Sequence, residues 1–330
     1  MNNKNNILNN KKISVAMCTY NGERFVEEQL KSMLNQTYKN FEIIITDDGS
    51  SDNTIEIINK YISKDDRIKL YINENNLGFV KNFEKSISLC TGDYIALADQ
   101  DDIWKINKLE YFIENIKENI LIYSDAILID DKGESLNAFL IAPKNQLVSG
   151  SNNKAFLLSN CVSGNTLMFK KELINEILPI PKNTRFHDMW IAFVASTYGS
   201  IIAVDEPMTY YRRYEQQITN KVQKEEYKGF ESRLSIKEKS KIDIAKTIIT
   251  DLNVYKDYHL LKNTSTLEVI NLILDLYENY ENINFSIKLY KILKKYEDEV
   301  FAIQKKKKRY KMSIRTSVGL KLHKKTLFLI

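Results

Sequence analysis

The strongest constraint on the fold is the regular alternation of short apolar runs with amphipathic segments over residues 13–98. Four apolar runs predict buried strands: 13–17, 41–45, 67–73 and 93–98. The segments between them carry apolar residues at helical spacing: 25–34, 54–62 and 79–90. Strands that alternate with helices form parallel sheets through right-handed crossovers. The sequence therefore predicts an α/β fold with a mainly parallel, doubly wound sheet, whose ligands bind at the carboxyl ends of the strands.

The pattern loosens after residue 102 and becomes purely helical after residue 221. We expect a helix at 103–117, a hairpin turning at 131–133, a strand at 165–169, a helix at 188–198 and two strand-like runs within 200–212 around Glu206 and Pro207. The resulting domain hypothesis has a disordered N-terminus at 1–10, an α/β domain at 11–220, a helical region at 221–304 and a basic tail at 305–330.

Charge is distributed unevenly along the chain. The 330 residues carry a formal net charge of +5, yet residues 1–220 sum to −5, and residues 305–330 hold ten basic residues and no acidic one. A basic tail that ends in apolar residues is typical of a segment that meets an anionic membrane surface. The alternatives are a solvated helix end or a nucleic-acid partner, and the acidic front and the lack of a recognition motif argue against nucleic acid.

The cysteines and the N-terminus bear on the compartment. Cys18, Cys90 and Cys161 are odd in number and widely spaced, which favours reduced thiols and argues against a cysteine zinc site. Residues 1–12 have no apolar core, and no uncharged apolar run reaches 18 residues. We therefore expect a cytoplasmic protein with neither a secretory signal nor a membrane-spanning helix.

Three carboxylates follow the fourth predicted strand. Asp99, Asp101 and Asp102 lie within four residues, and carboxylates so close repel one another unless a cation or hydrogen bonds compensate them. A hard divalent cation with oxygen ligands is the simplest compensation, and a diphosphate can supply further oxygens. The alternative is that Asp101 or Asp102 caps a helix starting near residue 103.

Polar turns also follow the first two predicted strands. In TDDGSSD, residues 46–52, Asp48 is able to accept the imide N–H of uracil or thymine. The alternative, which the turn taken alone favours, is that Ser51 or Asp52 caps the next helix. In TYNG, Tyr20 is placed to border a base and ribose, or simply to form a strand-terminal turn. Neither turn contains a dinucleotide-binding or P-loop motif.

An acidic residue also opens the predicted helix 188–198. Asp188 in FHDMW has apolar neighbours, and partial desolvation would raise its pKa and suit it to act as a general base on a hydroxyl. In that interpretation His187 orients Asp188 or contacts phosphate. The alternative is that Asp188 caps the helix.

Taken in order, these segments resemble family 2 glycosyltransferases of the GT-A fold. The series consists of the strand ending in TYNG, the strand ending in TDDGSSD, NENNLGFVKNFE at 73–84, GDYIALADQDD, and HD before a tryptophan-containing helix. The resemblance covers residues 11–215. DQDDIW followed by Lys108 and Leu109, then HDMW and a later YYRR, is most similar to the bacterial branch that includes rhamnosyltransferases of capsule and O-antigen synthesis.

The resemblance implies a role for each matched residue. Asp188 would be the catalytic base, and Asp101 or Asp102 would bind Mg²⁺ or Mn²⁺. Asp48 would contact the pyrimidine N3. The nucleotide and donor would be bordered by Cys18, Thr19, Tyr20, Asp48, Asn76, Gly78, Lys81, Asn82, Asp99 and Asp101, with Lys81 a candidate for phosphate contact. One departure is Tyr214, which stands where related sequences often carry a histidine, so that Arg212 and Arg213 are candidates to neutralise the diphosphate.

The implied reaction moves a sugar from a UDP- or dTDP-sugar, dTDP-rhamnose being one candidate, to a hydroxyl of a growing, lipid-linked cell-surface polysaccharide. A single displacement would invert the anomeric carbon. Such an acceptor would hold the enzyme at the inner face of the plasma membrane through residues 305–330.

Two other functions fit parts of the sequence. A sugar-phosphate nucleotidyltransferase would share the sheet, but CTYNGERF lacks the Gly-rich, basic loop expected after its first strand. A non-catalytic nucleotide-sugar-binding or scaffold protein would keep the fold while losing the carboxylates, and here all of them are present.

Overall fold

The computed structural model describes residues 11–142, 145–214, 236–262, 264–279 and 282–318. These residues divide into two units. The first comprises the described parts of Met1–Pro143, Leu147–Ser151 and Cys161–Arg213, and the second those of Lys144–Gln146, Asn152–Asn160 and Tyr214–Ile330. The expected disordered N-terminus and residues 319–330 of the basic tail lie outside the described residues.

The first unit is built on a nine-stranded sheet. In chain order its strands are β1 (Ile13–Thr19), β2 (Phe41–Asp47), β3 (Ile68–Ile72), β4 (Tyr94–Ala98), β5 (Ile103–Trp104), β6 (Leu121–Ile129), β7 (Ser135–Phe139), β8 (Leu167–Lys170) and β9 (Ile201–Arg212). Their spatial order is β3-β2-β1-β4-β8-β6-β9-β5, with β7 paired to β6.

The four strands predicted from the alternation are parallel to one another. β1 pairs with β2 and with β4, and β2 pairs with β3. Both β1 and β2 are buried along their whole length, as expected for parallel strands that are covered on both faces. The predicted α/β class and its parallel core are therefore confirmed.

The remaining strands form a mixed continuation of the sheet. β8 runs antiparallel to β4 and β6, β5 runs antiparallel to β9, and β6 and β9 are parallel. The predicted hairpin is confirmed, because β6 and β7 are antiparallel and Gly133 in the turn has a φ of +88°, which glycine adopts without strain.

Helices cover this sheet close to where the pattern predicts them. They are α1 (Val26–Leu34), α2 (Thr54–Ile62), α3 (Phe79–Ser88), α4 (Lys108–Ile116), α5 (Ile174–Ile177) and α6 (His187–Tyr198). One core joins apolar side chains of the strands with those of the helices, including Met17, Ile45, Leu30, Met33 and Phe112. This packing places the carboxyl ends of β1, β2 and β4 side by side, since Thr19 pairs with Asp47 and Met17 with Ala98.

Two sequence-based expectations after residue 102 were wrong. The helix expected from residue 103 begins only at Lys108, because Ile103 and Trp104 form β5 against β9 and the Trp104 side chain is buried. The two runs expected within 200–212 form one strand, β9. A register shift between Ser124 and Ala126 of β6 accommodates the extra residues of β9 around Pro207. Tertiary pairing overrides the local pattern in both places.

The second unit is helical. Its helices are α7 (Ile236–Lys256), α8 (Ser265–Glu278), α9 (Ile287–Lys295), α10 (Glu297–Val300) and α11 (Lys306–Thr316). Thr264 and Ser286 cap α8 and α9, because their side-chain oxygens accept the backbone N–H groups of Leu267 and Leu289. In the part of the chain that the structure describes, no helix is both long and apolar enough to cross a membrane.

Candidate active site

Side chains join the ends of β1, β2 and β4 directly. Thr19 Oγ1 donates to Asp47 Oδ2 at 2.6 Å. Tyr20 N donates to Gln100 Oε1 at 2.8 Å, and Gln100 Nε2 donates back to Tyr20 O at 3.0 Å. A Cβ on Gly22 would lie 2.2 Å from Gln100 Oε1, so a larger residue there would displace the Gln100 amide from this position. Gln100 thus holds TYNG against DQDD, a role that the sequence analysis missed.

The three residues expected to border the nucleotide at the end of β1 differ in exposure. Cys18 and Thr19 are buried, and Cys18 Sγ lies 3.5 Å from Thr46 Oγ1. Burial raises the pKa of the Cys18 thiol well above its usual value, which keeps the thiol neutral. The Tyr20 side chain is 43% exposed. Tyr20 is therefore the side chain of the three that offers surface to a base or ribose.

Asp48 organises the loop between β3 and α3. Its Oδ1 accepts from Asn73 Nδ2 and Leu77 N at 2.8 Å each, and its Oδ2 accepts from Gly78 N at 2.9 Å. Asn76 Nδ2 donates to Asp48 O at 3.2 Å. A carboxylate accepts about four hydrogen bonds, so the bonds named here leave room for one more donor. The structure thus gathers Asp48, Asn76 and Gly78 into one cluster.

The other two candidates from this loop region lie on α3. Asn82 is buried, donates to Thr46 O at 2.8 Å and accepts from Asn73 Nδ2 at 2.9 Å, so it supports the Asp48 cluster from within the protein. Lys81 Nζ donates to Glu84 Oε2 at 2.7 Å and to Ile180 O at 2.8 Å. A phosphate contact by Lys81 stays a prediction, and it would compete with these two bonds.

The carboxylates after β4 form an electrostatically strained cluster. Burial raises the pKa of Asp99 well above its usual value, and the charges of Asp102, Asp101 and Asp188 raise it further. Asp102 is 1% exposed, and burial with the neighbouring Asp101 raises its pKa to about 7. Neither Asp101 nor Asp102 caps a helix, because α4 begins only at Lys108. The capping alternative is therefore wrong.

A buried lysine lies close to these carboxylates. Lys108 is fully buried, and its Nζ donates to Asn165 O at 2.6 Å and to Thr209 Oγ1 at 3.0 Å. The ammonium also lies 3.8 Å from the centre of the Trp104 ring. Burial lowers the pKa of Lys108 well below its usual value, whereas the carboxylates of Asp102 and Asp99 oppose that shift. Its position on the buried side of α4 was the signal that the sequence analysis did not use.

Two further groups hold the Asp102 carboxylate. Its Oδ2 accepts a hydrogen bond from Asn165 Nδ2, and its Oδ1 accepts one from Arg212 N at 3.0 Å. Both hydrogen bonds favour the ionised form and so oppose the effect of burial on the pKa. Both oxygens of the buried Asp102 carboxylate thus bind groups within the protein. Asp101 is half-buried, so of the two predicted metal ligands it is the one better placed to reach a bound cation.

The arginines proposed for the diphosphate are also placed by the structure. Arg212 is 1% exposed, its Nε donates to Asp101 O at 2.9 Å, and its guanidinium lies 4.5 Å from the centre of the Phe25 ring. An ion pair with Glu28 at 2.5 Å occupies another guanidinium nitrogen. Arg213 is half-buried beside the Tyr211 ring. A role at the diphosphate stays a prediction for both, and Arg212 would have to give up these contacts to take it.

Asp188 lies in the first turn of α6, close to the carboxylate cluster. Its Oδ1 accepts from Met189 N at 2.6 Å and its Oδ2 from Gly164 N at 3.3 Å. Burial raises its pKa to about 6, although these backbone donors oppose the shift. Because α6 begins at His187, Asp188 is inside the helix and does not cap it, so that alternative is wrong too.

His187 packs as a neutral ring behind Asp188. It is buried, its ring stacks on Phe83 with centroids 3.9 Å apart, and neither ring nitrogen has a hydrogen-bond partner in the described structure. Burial lowers its pKa to about 3. A Cβ on Gly164 would lie 2.7 Å from His187 Nε2, so glycine is needed there. His187 therefore makes no hydrogen bond that would orient Asp188.

One short segment connects Asp188 with the carboxylate cluster. Gly164–Thr166 forms a single 3₁₀ turn just before β8. Gly164 N donates to Asp188, while the Asn165 side chain donates to Asp102 and the Asn165 carbonyl accepts from Lys108. The structure therefore joins two motifs that are 86 residues apart between Asp102 and Asp188 in the sequence. Sequence patterning did not single out this turn.

The carboxylates provide oxygen ligands, which a hard divalent cation prefers. They supply only part of the ligand set that such a cation needs. In the ranges described above, no group of three or more His, Cys, Asp or Glu side chains converges closely enough to hold a metal ion. Asp99 and Asp101 nevertheless fit a hard cation chemically, because the mutual repulsion that raises the Asp99 pKa would be relieved by positive charge. Further oxygens would have to come from a bound diphosphate or water.

Asn165→Ala tests the stabilising role of the Asn165 turn. Loss of the amide leaves the buried Asp102 carboxylate with one donor fewer, so we expect the free energy of unfolding to fall by about 2 kcal/mol. The loss should be larger at about pH 8 than at about pH 5, because the Asn165 bond stabilises the ionised carboxylate and Asp102 is protonated at the lower pH. Urea denaturation at both pH values measures it.

Asn119→Ala is the matched control for that substitution. Asn119 is half-buried and donates to a backbone carbonyl, Ile116 O, at 3.0 Å. We expect a loss of about 1 kcal/mol or less that is the same at both pH values. Equal losses in the two variants at both pH values would contradict the charge-compensating role of Asn165.

Comparison with known proteins is consistent with this geometry. A profile of glycosyl transferase family 2 matches residues 14–177. An uncharacterized glycosyltransferase of Methanocaldococcus jannaschii is 32% identical over 207 residues, which cover 61% of this chain and 70% of that protein. An uncharacterized glycosyltransferase of Haemophilus influenzae is 28% identical over 321 residues, which cover 92% of this chain and 96% of that protein.

Solved structures share the fold. S. aureus TarS 1–349 in complex with UDP-GlcNAc matches with a TM-score of 0.56 and 17% identity, over 92% of this chain and 88% of that one. The mannosyltransferase PcManGT from Pyrobaculum calidifontis, in complex with GDP-Man and Mn²⁺, matches with a TM-score of 0.51 and 14% identity, over 81% and 75%. These likenesses confirm the expected GT-A fold, and the matches in sequence show that the chain belongs to glycosyl transferase family 2 and is a glycosyltransferase.

Proposed function

We propose that the protein is an inverting glycosyltransferase in which Asp188 is the catalytic base. The observation that carries the proposal is the Gly164–Thr166 turn, in which Gly164 N donates to Asp188 and the Asn165 side chain donates to Asp102, so that the turn links Asp188 to the carboxylates after β4. A base with a pKa of about 6 is largely ionised at neutral pH and still basic enough to take a proton from a hydroxyl as it attacks. A scaffold protein without activity would not need such a poised carboxylate.

The proposed donor is a UDP- or dTDP-sugar. Asp48 retains room for one further hydrogen-bond donor, and the imide N–H of uracil or thymine is such a donor, whereas cytosine lacks it. Tyr20 is exposed at the neighbouring strand end and would border the base or ribose. The UDP-GlcNAc complex of the structurally similar TarS supports a uridine nucleotide.

A divalent cation, Mg²⁺ or Mn²⁺, is the proposed cofactor. Asp101 and Asp99 would hold it together with the donor diphosphate, and the structurally similar PcManGT carries Mn²⁺ beside GDP-Man. A cation bound there supplies positive charge for the departing diphosphate. Asp102, whose oxygens already accept hydrogen bonds from Asn165 and Arg212, would instead hold the DQDD loop in place.

The chemical step proposed is one displacement. The acceptor hydroxyl oxygen attacks the anomeric carbon from the side facing Asp188, and its proton passes to the Asp188 carboxylate. The bond between the anomeric carbon and the diphosphate oxygen breaks, and the nucleoside diphosphate leaves with the electron pair. Backbone donors from Gly164 and Met189 hold the carboxylate in one orientation. One displacement inverts the configuration at the anomeric carbon.

The proposed acceptor is a lipid-linked saccharide of a cell-surface polysaccharide such as capsule or O-antigen. Among dTDP-sugars, dTDP-rhamnose is the proposed donor. The resemblance of DQDDIW and HDMW to the rhamnosyltransferase branch supports the donor. The ten basic residues in 305–330 support a peripheral position on the anionic inner face of the plasma membrane. The helical region 221–304 and the basic tail remain proposed domains.

Asp188→Asn tests the base directly. Asparagine keeps the size of the side chain and cannot accept the proton, so we expect the rate of transfer to fall by at least about 100-fold. Wild-type kcat/KM should rise with pH through a pKa of about 6 and then level off, because only the ionised carboxylate is active. Stabilisation by nucleotide should persist in the variant. Normal turnover in Asp188→Asn, or a rate that does not change between about pH 5 and 8, would remove Asp188 from this role.

Thermal shifts with UDP, dTDP, GDP and CDP, each with and without Mn²⁺, test the donor site. We expect selective stabilisation by UDP or dTDP that depends on metal, of about 3 kcal/mol at a hundredfold excess over Kd. Asp48→Ala should abolish the selectivity. Glu74→Ala is the control, because Glu74 is exposed in the same loop. Equal responses to all four nucleotides would contradict the assignment of Asp48.

A further inference from the structure

The outer sides of α9 and α11 carry a dense set of basic residues within the second unit. We define the basic face as Lys288, Lys291, Lys294 and Lys295 of α9 with Lys307, Lys308, Lys311 and Arg315 of α11. All eight side chains are exposed. Residues 282–318 contain eleven basic and three acidic side chains, so the charge of this part of the chain is strongly positive.

Helical spacing explains why each helix contributes to one side. Lys288, Lys291 and Lys295 follow one another at intervals of three and four residues, which places them on one side of α9. Leu289, Ile292 and Leu293 form its buried side. On α11, the positions 307, 311 and 315 recur every four residues, while Ser313 and Thr316 are buried. Both helices therefore turn their basic side outward because their other side packs inward.

Contacts between α9 and α11 make the two sides neighbours. Lys294 Nζ lies 4.7 Å from the centre of the Tyr310 ring of α11. At the other end of α9, Ser286 N donates to Ser317 O at 2.9 Å, and Phe285 forms a β-bridge with Val318. The helix pair is thus joined at both ends of α9.

Acidic residues neutralise little of this charge. In the described part of the chain, Lys294 is the one member of the basic face with a carboxylate within 4 Å, that of Glu297. A second ion pair joins Asp298 of α10 to Arg309 of α11, an arginine outside the basic face. The basic face therefore presents positive charge that an anionic partner could neutralise.

Exposed apolar side chains lie beside this charge. Ile287, at the start of α9, is 62% exposed, and Tyr310 and Phe285 are 51% and 37% exposed. Lysines around exposed apolar and aromatic residues match the two layers of a bilayer surface, namely anionic headgroups and the acyl region beneath them. Phosphates of a nucleic acid would satisfy the lysines but offer no apolar phase to Ile287.

We propose that the basic face of α9 and α11 docks on an anionic lipid bilayer, with Ile287 entering the headgroup–acyl boundary. This inference rests on the proposed membrane association of the enzyme, and it assigns the contact to a folded surface of two helices. Of these, α11 belongs to the tail 305–330, whereas α9 lies outside it. The partner is a bilayer that contains lipids of negative headgroup charge. The acceptor saccharide would then be reached from a surface-bound enzyme.

Co-sedimentation of the full chain with vesicles tests the proposal. The probes are phosphatidylcholine vesicles with and without phosphatidylglycerol. Lys288→Gln/Lys291→Gln/Lys295→Gln removes three charges from α9 and leaves the tail intact, and we expect partitioning onto the anionic vesicles to fall about 100-fold, or about fivefold per lysine. Ile287→Ser should weaken binding by about tenfold without changing its salt dependence.

The matched control is Lys60→Gln/Lys64→Gln/Lys182→Gln, which removes the same charge from exposed positions of the first unit. It should bind vesicles as the wild type does, and circular dichroism should show unchanged helix content in every variant. Binding that is lost equally in both triple variants would mean general charge attraction and would overturn the surface. So would wild-type binding that survives the α9 substitutions, which would leave the tail as the contact.

Failure of the membrane proposal itself gives a different result. Wild-type protein that ignores anionic vesicles would overturn the membrane association and the inference together. Binding of a short duplex DNA in place of the vesicles would assign the basic face to nucleic acid and overturn the proposal. Sugar transfer to a soluble acceptor should be unchanged in the α9 variant, so a loss of the glycosyltransferase activity is distinguishable from a loss of docking.

Discussion

The structure depends on how one buried carboxylate, Asp102, is kept in the protein. A carboxylate at 1% exposure is costly to ionise, and burial with the neighbouring Asp101 accordingly raises the pKa of Asp102 to about 7. Asn165 and Arg212 N donate to it, and the Lys108 ammonium lies close enough for their charges to interact. Removing one hydrogen-bond partner of a buried carboxylate destabilises a protein more than the intact group stabilises it. The presence of Asp102 is therefore explained better by the geometry that it imposes on DQDD than by a gain in folding free energy.

That geometry links the two sides of the reaction. Asn165 holds the DQDD loop, and the preceding Gly164 holds Asp188, the proposed base. The Gly164–Thr166 turn therefore fixes the distance between the proposed diphosphate side and the proposed acceptor side of the anomeric carbon. Positioning of this kind contributes to catalysis because reacting groups that are already oriented lose little entropy in the transition state. The same burial that orders Asp188 also raises its pKa to about 6.

Much of this arrangement could be predicted from sequence, and the missing parts have a common cause. Apolar periodicity predicted β1 to β4, α1 to α3 and α6, because local burial patterns determine those elements, and the order of motifs predicted the family. Local patterns could not show that Trp104 pairs with β9, that Lys108 lies under the carboxylates, or that Asn165 joins DQDD to HD. Each of those is a contact between distant parts of the chain. The capping alternatives at Asp101 and Asp102 failed because the residues after them pair as β5 with β9 and the helix begins only at Lys108. The alternative at Asp188 failed because α6 already begins at His187.

The central claim is that a single displacement, assisted by Asp188, transfers the sugar. The most direct test is the anomeric configuration of the sugar that is released first when the enzyme slowly hydrolyses its nucleotide donor without acceptor, followed by proton NMR before mutarotation. Water then replaces the acceptor hydroxyl at the same carbon. We expect a first-formed sugar of configuration opposite to that of the donor. A first-formed sugar that retains the donor configuration would require a second displacement and a nucleophile that this account does not contain, and it would contradict the role of Asp188.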